Sequence, residues 1–205
     1  MPAAAFLLDF RKADGSANMD VLDAIYHRRA IRAFTSEAVE KEVIESLVDA
    51  AVHAPNALDK QRWAFVIVRD RGLMRRISTE AKALTLKTIG SNPDLKPFAD
   101  MLSSPDLNIF YDAPVLVIIC ATQDDRFVEQ DCCLAAQNLM LAACAKGLGT
   151  CWIGFAEAWL NRPEAKKELG IPATFRPIAP VILGYPRTRP NAPERHRPDM
   201  IWIES

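Results

Sequence analysis

The chain has no uninterrupted apolar run that could cross a bilayer: Asp131 and Lys146 bracket the longest one, and a membrane-spanning helix needs about 20 apolar residues. It has almost no net charge, −1 from 25 Lys+Arg and 26 Asp+Glu. That balance excludes an overall basic field for nucleic acid or acidic lipid, so any cluster of one sign must act locally. The five cysteines (Cys120, Cys132, Cys133, Cys144 and Cys151) include no C-x-x-C pair and lie inside apolar runs. Reduced, buried thiols in a cytoplasmic protein are the expectation, not a disulfide scaffold. A short apolar stretch opens "MPAAAFLL", but no basic residue precedes it and Asp9 follows directly, so a signal peptide is not expected. Internal repeats and low-complexity segments are also lacking.

Several familiar chemistries are missing as well. There is no G-x-S-x-G, and the three histidines (His27, His53 and His196) are scattered without metal-ligand spacing, so no metal site is expected. Gly147, Gly149 and Gly154 do not form the order G-x-G-x-x-G and follow a helix-like run, where the dinucleotide fingerprint follows a strand. A helix C-cap suits Gly147 and Gly149, while Gly154 and the backbone of Trp152 and Ile153 remain open to close approach by a planar ligand. With no nucleophile or acid–base pair in view, no side chain is assigned as catalytic. An enzyme built this way borrows its reactivity from a cofactor.

What is present reads as one layered domain. Half of the 205 residues are hydrophobic and a quarter charged, an ordinary globular composition for a chain of this length. Residues 1–18 read as a polar arm and 19–205 as a single domain. Asn18 is a candidate N-cap for a first helix ending near Arg28, and Thr35 or Ser36 for a second that Pro55 stops. "WAFVIV", "PVLVIICA", "TCWIG" and "IAPVILG" read as strands, with "MIWIE" as a possible last one. A helix starts near Leu73, another follows Pro163, and residues 90–112 look like broken turns forming a lid. The run from Phe127 to Lys146 is apolar almost all the way round, which predicts burial on every side, in the core or in a subunit interface. Strands alternating with helices indicate α/β or α+β layering.

Charge is concentrated in one place. "YHRRAIRAF" sets Arg28, Arg29 and Arg32 where a helical pattern gives way to an extended one. These arginines either complement the helix C-terminus and solvent, or form a phosphate site through paired, charge-assisted hydrogen bonds. Arg195 and Arg197 in "ERHRP" would join them if the tail folds back.

The blocks "HRRAIRAF", "AAVHAPNALDKQRWAFVIV", "AAQNLMLAACAKGLGTCWIG" and "VILGYP", followed by a basic tail, resemble the FMN-dependent nitroreductase superfamily over about Met19 to Glu204. The resemblance implies an α+β fold with a central mixed, mainly antiparallel sheet flanked by helices. It further implies a homodimer with FMN at the interface and the C-terminal segment exchanged with the partner subunit. Flavin N5 would take hydride from NADH or NADPH and pass it to a nitroaromatic, quinone or similar flat acceptor in a ping-pong cycle. Cofactor contacts then fall on Arg28, Arg29, Ala30 and Arg32, on Pro55, Asn56, Asp59 and Gln61 in the stretch ending at Trp63, on Trp152, Ile153 and Gly154, and on Arg195 and Arg197. Phe98, Phe110 and Tyr111 are candidates for the substrate side, though lid or core packing would suit them too.

Three departures from the family pattern stand out: Ala30 replaces a usual serine, Asp59 a usual asparagine and Arg62 a usual proline. A carboxylate at position 59 accepts a hydrogen bond but donates none, and it opposes the charge of a reduced flavin unless Lys60 or Arg62 pairs with it. Other readings within reach are specialised flavin chemistry, such as dehalogenation or flavin fragmentation, and a non-catalytic FMN-binding or sequestering protein.

Overall fold

The computed structural model describes residues 19–204. The arm 1–18 and the candidate cap Asn18 therefore lie outside the described residues. The architecture is a four-stranded sheet in the order β1-β2-β4-β3, with β1 at Trp63–Val68, β2 at Val115–Ala121, β3 at Gly149–Trp152 and β4 at Arg176–Gly184. All three pairings are antiparallel. The only parallel element among the described residues is an isolated bridge between Ala30 and Thr150, so the expected mixed sheet is antiparallel in its ladders.

Alternation along β2 explains why it reads as a continuous apolar run. Leu116, Ile118 and Cys120 face one layer with Met74, Ile77, Ala81, Trp159 and Leu160. Val115, Val117, Ile119 and Ala121 face the other, with Leu47, Ala51, Cys132, Ala136 and Leu139. A central strand covered on both faces needs apolar residues at odd and even positions alike. The layers are α3 (Arg71–Thr88) and α6 (Glu157–Leu160) on one side, and α2 (Lys41–Val52) and α5 (Val128–Ala145) on the other. Helices α1 (Val21–His27), α4 (Ala99–Ser103) and α7 (Pro163–Leu169) complete the set.

Several expected boundaries shift for physical reasons. Helix α2 starts at Lys41 behind Glu40, not behind Thr35 or Ser36. The preceding segment is held extended against the end of β4: Thr35 N–H donates to Tyr185 O, Arg187 N–H donates to Ala33 O, and Phe34 bridges Pro186. Asp20 caps α1 and Asp70 caps α3, each accepting from a first-turn N–H. Residues 90–112 do contain short 3-10 turns around α4, as the proline content suggested. Helix α5 is not enclosed on all sides within one chain, since Leu134 and Phe127 are 43% and 44% exposed. "MIWIE" forms no strand: Met200 to Ile203 are exposed with no ladder partner in the chain.

Buried polar groups tie the 104–112 segment to α3. Lys82, 7% exposed, donates to Ser104 O at 2.8 Å and Leu107 O at 2.6 Å. One turn earlier, Ser78 Oγ accepts from Ile109 N–H, and Arg75 pairs with Asp112. Residues 75, 78 and 82 share one face of the helix, so a single stripe fastens the segment.

Candidate functional site

Ile31 fixes the arginine segment to the sheet. Its N–H donates to Thr150 O at 2.9 Å, and its buried side chain sits where a Cβ on Gly149 would be, 2.6 Å from Cγ1. Only glycine at 149 allows this approach. The docked segment carries Arg28, Arg29, Ala30 and Arg32 along the edge of β3.

The charges converge on the corner between α5 and β3. Burial raises the thiols of Cys144 and Cys151, while Arg189, Arg28 and Arg29 pull the first back down and Arg32 and Arg28 the second. Arg189 comes from the segment after β4 and donates to Gly147 O at 3.1 Å. Arg29 closes the C-terminus of α1 by donating to Tyr26 O and Arg28 O, so helix capping is its role within the isolated chain.

Beside this corner lies a cavity of about 320 Å³ lined by Arg32, Tyr111, Cys151, Trp152, Ile153 and Gly154, with Thr85, Thr88, Leu95, Ile109 and Phe155 opposite. The Arg32 guanidinium lies 5.9 Å from the Tyr111 ring centroid, within cation–π range. Tyr111 is held at φ 51°, a strained conformation of the kind that clusters at ligand sites. A Cβ built on Gly154 meets nothing within 4 Å, and its φ lies outside the positive range. The fold therefore does not require glycine there, and the open space beside it is free for a ligand.

The expected site residues divide into three groups. Arg32, Trp152, Ile153, Gly154 and Tyr111 come together in the cavity. Pro55, Asn56, Asp59 and Gln61 do not line it. Their loop leads into β1, at the opposite edge of the sheet from β3, and three strand spacings put those edges about 14 Å apart. Arg195 and Arg197 lie on the exposed tail. Of the substrate candidates, Phe110 is 0% exposed inside the core and cannot touch a ligand. Phe98 packs edge-on against Phe155 with centroids 5.6 Å apart. Nothing in residue type or spacing singled out Thr85 and Thr88, which sit three apart on α3 and line the cavity.

The loop itself is held from α5. Asn56 Oδ1 accepts from Gln61 N–H at 2.9 Å, and Asp131 Oδ1 accepts from Ala57 N–H at 3.0 Å. Lys60 and Arg62 pair with Asp125, at 3.4 and 2.6 Å, and not with Asp59. The Asp125 carboxyl is held below its usual range, first by the Phe127 N–H and then by Lys60 and Arg62. Among the described residues no metal-binding cluster exists and no helix is long and apolar enough to cross a membrane.

The fold is thus one antiparallel sheet between helical layers, with a cavity of small-molecule size that Arg32 and the Trp152–Gly154 segment line at the β3 edge. The Nitroreductase family model matches residues 25–185, and the chain belongs to that family. An NADH dehydrogenase/NAD(P)H nitroreductase, so named, of Methanothermobacter thermautotrophicus is 32% identical over 93% of this chain and 91% of its own. An iodotyrosine deiodinase of Haliscomenobacter hydrossis is 29% identical over 86% of this chain and 84% of its own. In fold, the chain resembles the FMN-bound nitroreductase of Bacteroides fragilis with a TM-score of 0.77, at 23% identity over 91% of this chain and all of the other.

Proposed function

We propose that the protein is an FMN-dependent oxidoreductase that works as a homodimer in the cytoplasm. The observation that carries this reading is the meeting of Arg32 with the Trp152–Gly154 backbone around the cavity, beside a Gly154 that the fold itself leaves open. The donor set suits FMN: guanidinium groups at positions 28, 29 and 32 match a phosphate and an electron-rich ring edge, and apolar walls from Leu95, Ile109 and Phe155 match a flat aromatic system. FMN held there would supply two-electron redox chemistry between NADH or NADPH and a flat acceptor such as a nitroaromatic or quinone, in ping-pong fashion.

The protein's own residues bind, orient and exclude water. Arg28 and Arg29, joined by Arg195 and Arg197 of the tail, neutralise the phosphate. Trp152, Ile153 and Gly154 line the ring. Pro55, Asn56, Asp59 and Gln61 are too far across the sheet to reach the same ring from one chain, so they serve the site of a second copy. Exposed apolar groups support that pairing: Tyr26 is 70% exposed on α1, and Ile201, Trp202 and Ile203 on the tail are 91%, 76% and 95% exposed. Large apolar side chains left this exposed suit burial against a second copy.

The similarity to an iodotyrosine deiodinase favours one second reading, reductive dehalogenation of an aromatic substrate at the same cavity. Anaerobic mixing with NADH or NADPH, followed by a nitroaromatic, a quinone or 3-iodotyrosine, separates the outcomes. Flavin bands that bleach with the nucleotide and return with nitroaromatic or quinone support the proposal. Return only with the iodinated ring supports dehalogenation, and bands that never bleach leave a binding protein.

A further inference from the structure

The loop Asn56–Arg62 is wound against its own preferences. Leu58, Asp59 and Gln61 hold φ values of 57°, 50° and 48°, in the left-handed region that L side chains avoid. Such conformations persist only where the surroundings over-determine them. Within the loop, Asn56 holds Gln61 N–H and the Gln61 amide donates to Asp59 Oδ1 at 2.8 Å. From outside, the buried Asp131 holds Ala57 at one end. Asp125 holds the other: one oxygen accepts from Phe127 N–H at 2.8 Å, the second from Arg62 at 2.6 Å and from Lys60 at 3.4 Å.

Two cations thus follow Asp59 within three residues in sequence, yet both are drawn to Asp125. The described partner of Asp59 is a neutral amide. We propose that Asp125 is a positioning residue that draws Lys60 and Arg62 away from Asp59 and leaves the Asp59 carboxylate uncompensated on the ligand-facing loop. This rests on the reading that the loop faces FMN. A negative charge beside the ring disfavours the electron-rich reduced form relative to the oxidised one. Lys60 or Arg62 at Asp59 would cancel that effect. The serial arrangement makes the midpoint potential of bound FMN depend on Asp125 through Asp59.

The test is the midpoint potential of the holoprotein for the wild type, Asp59→Asn, Asp125→Asn and the double variant, with FMN titration alongside. An asparagine at 125 keeps the acceptor for Phe127 N–H, so the local turn survives while the charge is lost. Both single variants are expected to raise the potential. A roughly fivefold change in the reduced-to-oxidised affinity ratio is about 21 mV for a two-electron couple. The double variant should match Asp59→Asn alone. An unchanged potential in Asp125→Asn, or equal shifts that add in the double variant, overturns the inference. A Lys60→Gln/Arg62→Gln variant checks it without touching Asp125. Removing the cations also bares Asp125, so the same pair of substitutions is made on Asp59→Asn, where an equal fall leaves the inference standing and a fall that disappears would mean that the cations neutralise Asp59 and overturn it. Failure of the wild type to take up FMN at all would defeat the functional reading itself, a result distinct from any of these.

Discussion

Gly149→Ala probes how the arginine segment is fastened to the sheet. The added Cβ would stand 2.6, 2.8 and 2.9 Å from Cγ1, Cβ and Cγ2 of Ile31, against the roughly 3.5–4.0 Å of an ordinary carbon contact. Rotating the Ile31 side chain relieves the contacts to the γ carbons but not the one to Cβ, which moves only with the backbone. The segment must therefore back away by about 1 Å. Overpacking of this kind costs about 1–3 kcal/mol. Stretching the 2.9 Å bond from Ile31 N–H to Thr150 O adds about 1 kcal/mol, and the lost freedom of glycine in the unfolded chain offsets roughly 0.4–1 kcal/mol. The net expectation is a loss of about 1–3 kcal/mol, read as an earlier urea midpoint at unchanged slope. Ala30 and Arg32 flank Ile31, so FMN affinity should fall by about tenfold as a charged contact is displaced. Gly90→Ala, whose Cβ meets nothing within 4 Å, is the control and should change neither quantity. A variant at 149 that keeps both wild-type stability and FMN affinity would refute the reasoning.

Gly154→Val should separate fold from site: its side chain enters open space, so stability should stay within about 1 kcal/mol while equilibrium titration shows FMN affinity falling by about tenfold or more. Lys82→Met removes the donor to Ser104 O and Leu107 O. The expected cost is about 2 kcal/mol after relief of the buried charge, a drop in melting temperature of about 4–8 °C, with faster hydrogen exchange confined to residues 104–109. Burial pushes the thiols of Cys120 and Cys132 up to about 12, so a thiol reagent at pH 8 should leave both untouched in the native protein and label all five cysteines once it is unfolded. Rapid stoichiometric reaction of either thiol in the folded state would contradict this.

The elements that the sequence announced most clearly are those whose residues face a core. Strand β2 and helix α2 are legible because burial dictates apolar residues at their inward positions. Boundaries set by distant hydrogen bonds were not legible: nothing local says that Thr35 will bond to Tyr185 in place of capping α2. Along helix α5 the sequence does not distinguish an apolar face turned to the core of its own chain from one left open at Leu134, which is why core and subunit interface stood as alternatives for it. At the site, the blocks around Arg32 and Trp152–Gly154 were visible as motifs, and the chain brings them together. The pairing of Lys60 and Arg62 was not visible, since Asp125 lies 63 positions from Arg62 and competes with the adjacent Asp59 only in three dimensions. Phe110 was indistinguishable by residue type from a ligand-facing aromatic, and burial alone decides against it.

The claim on which the account rests is that this chain holds FMN at the edge of β3. Titrating FMN into the purified, flavin-free protein and following flavin fluorescence tests it directly. Saturable quenching at one FMN per chain, lost in Gly154→Val, is the predicted result. Fluorescence that remains that of free FMN at every protein concentration would contradict it.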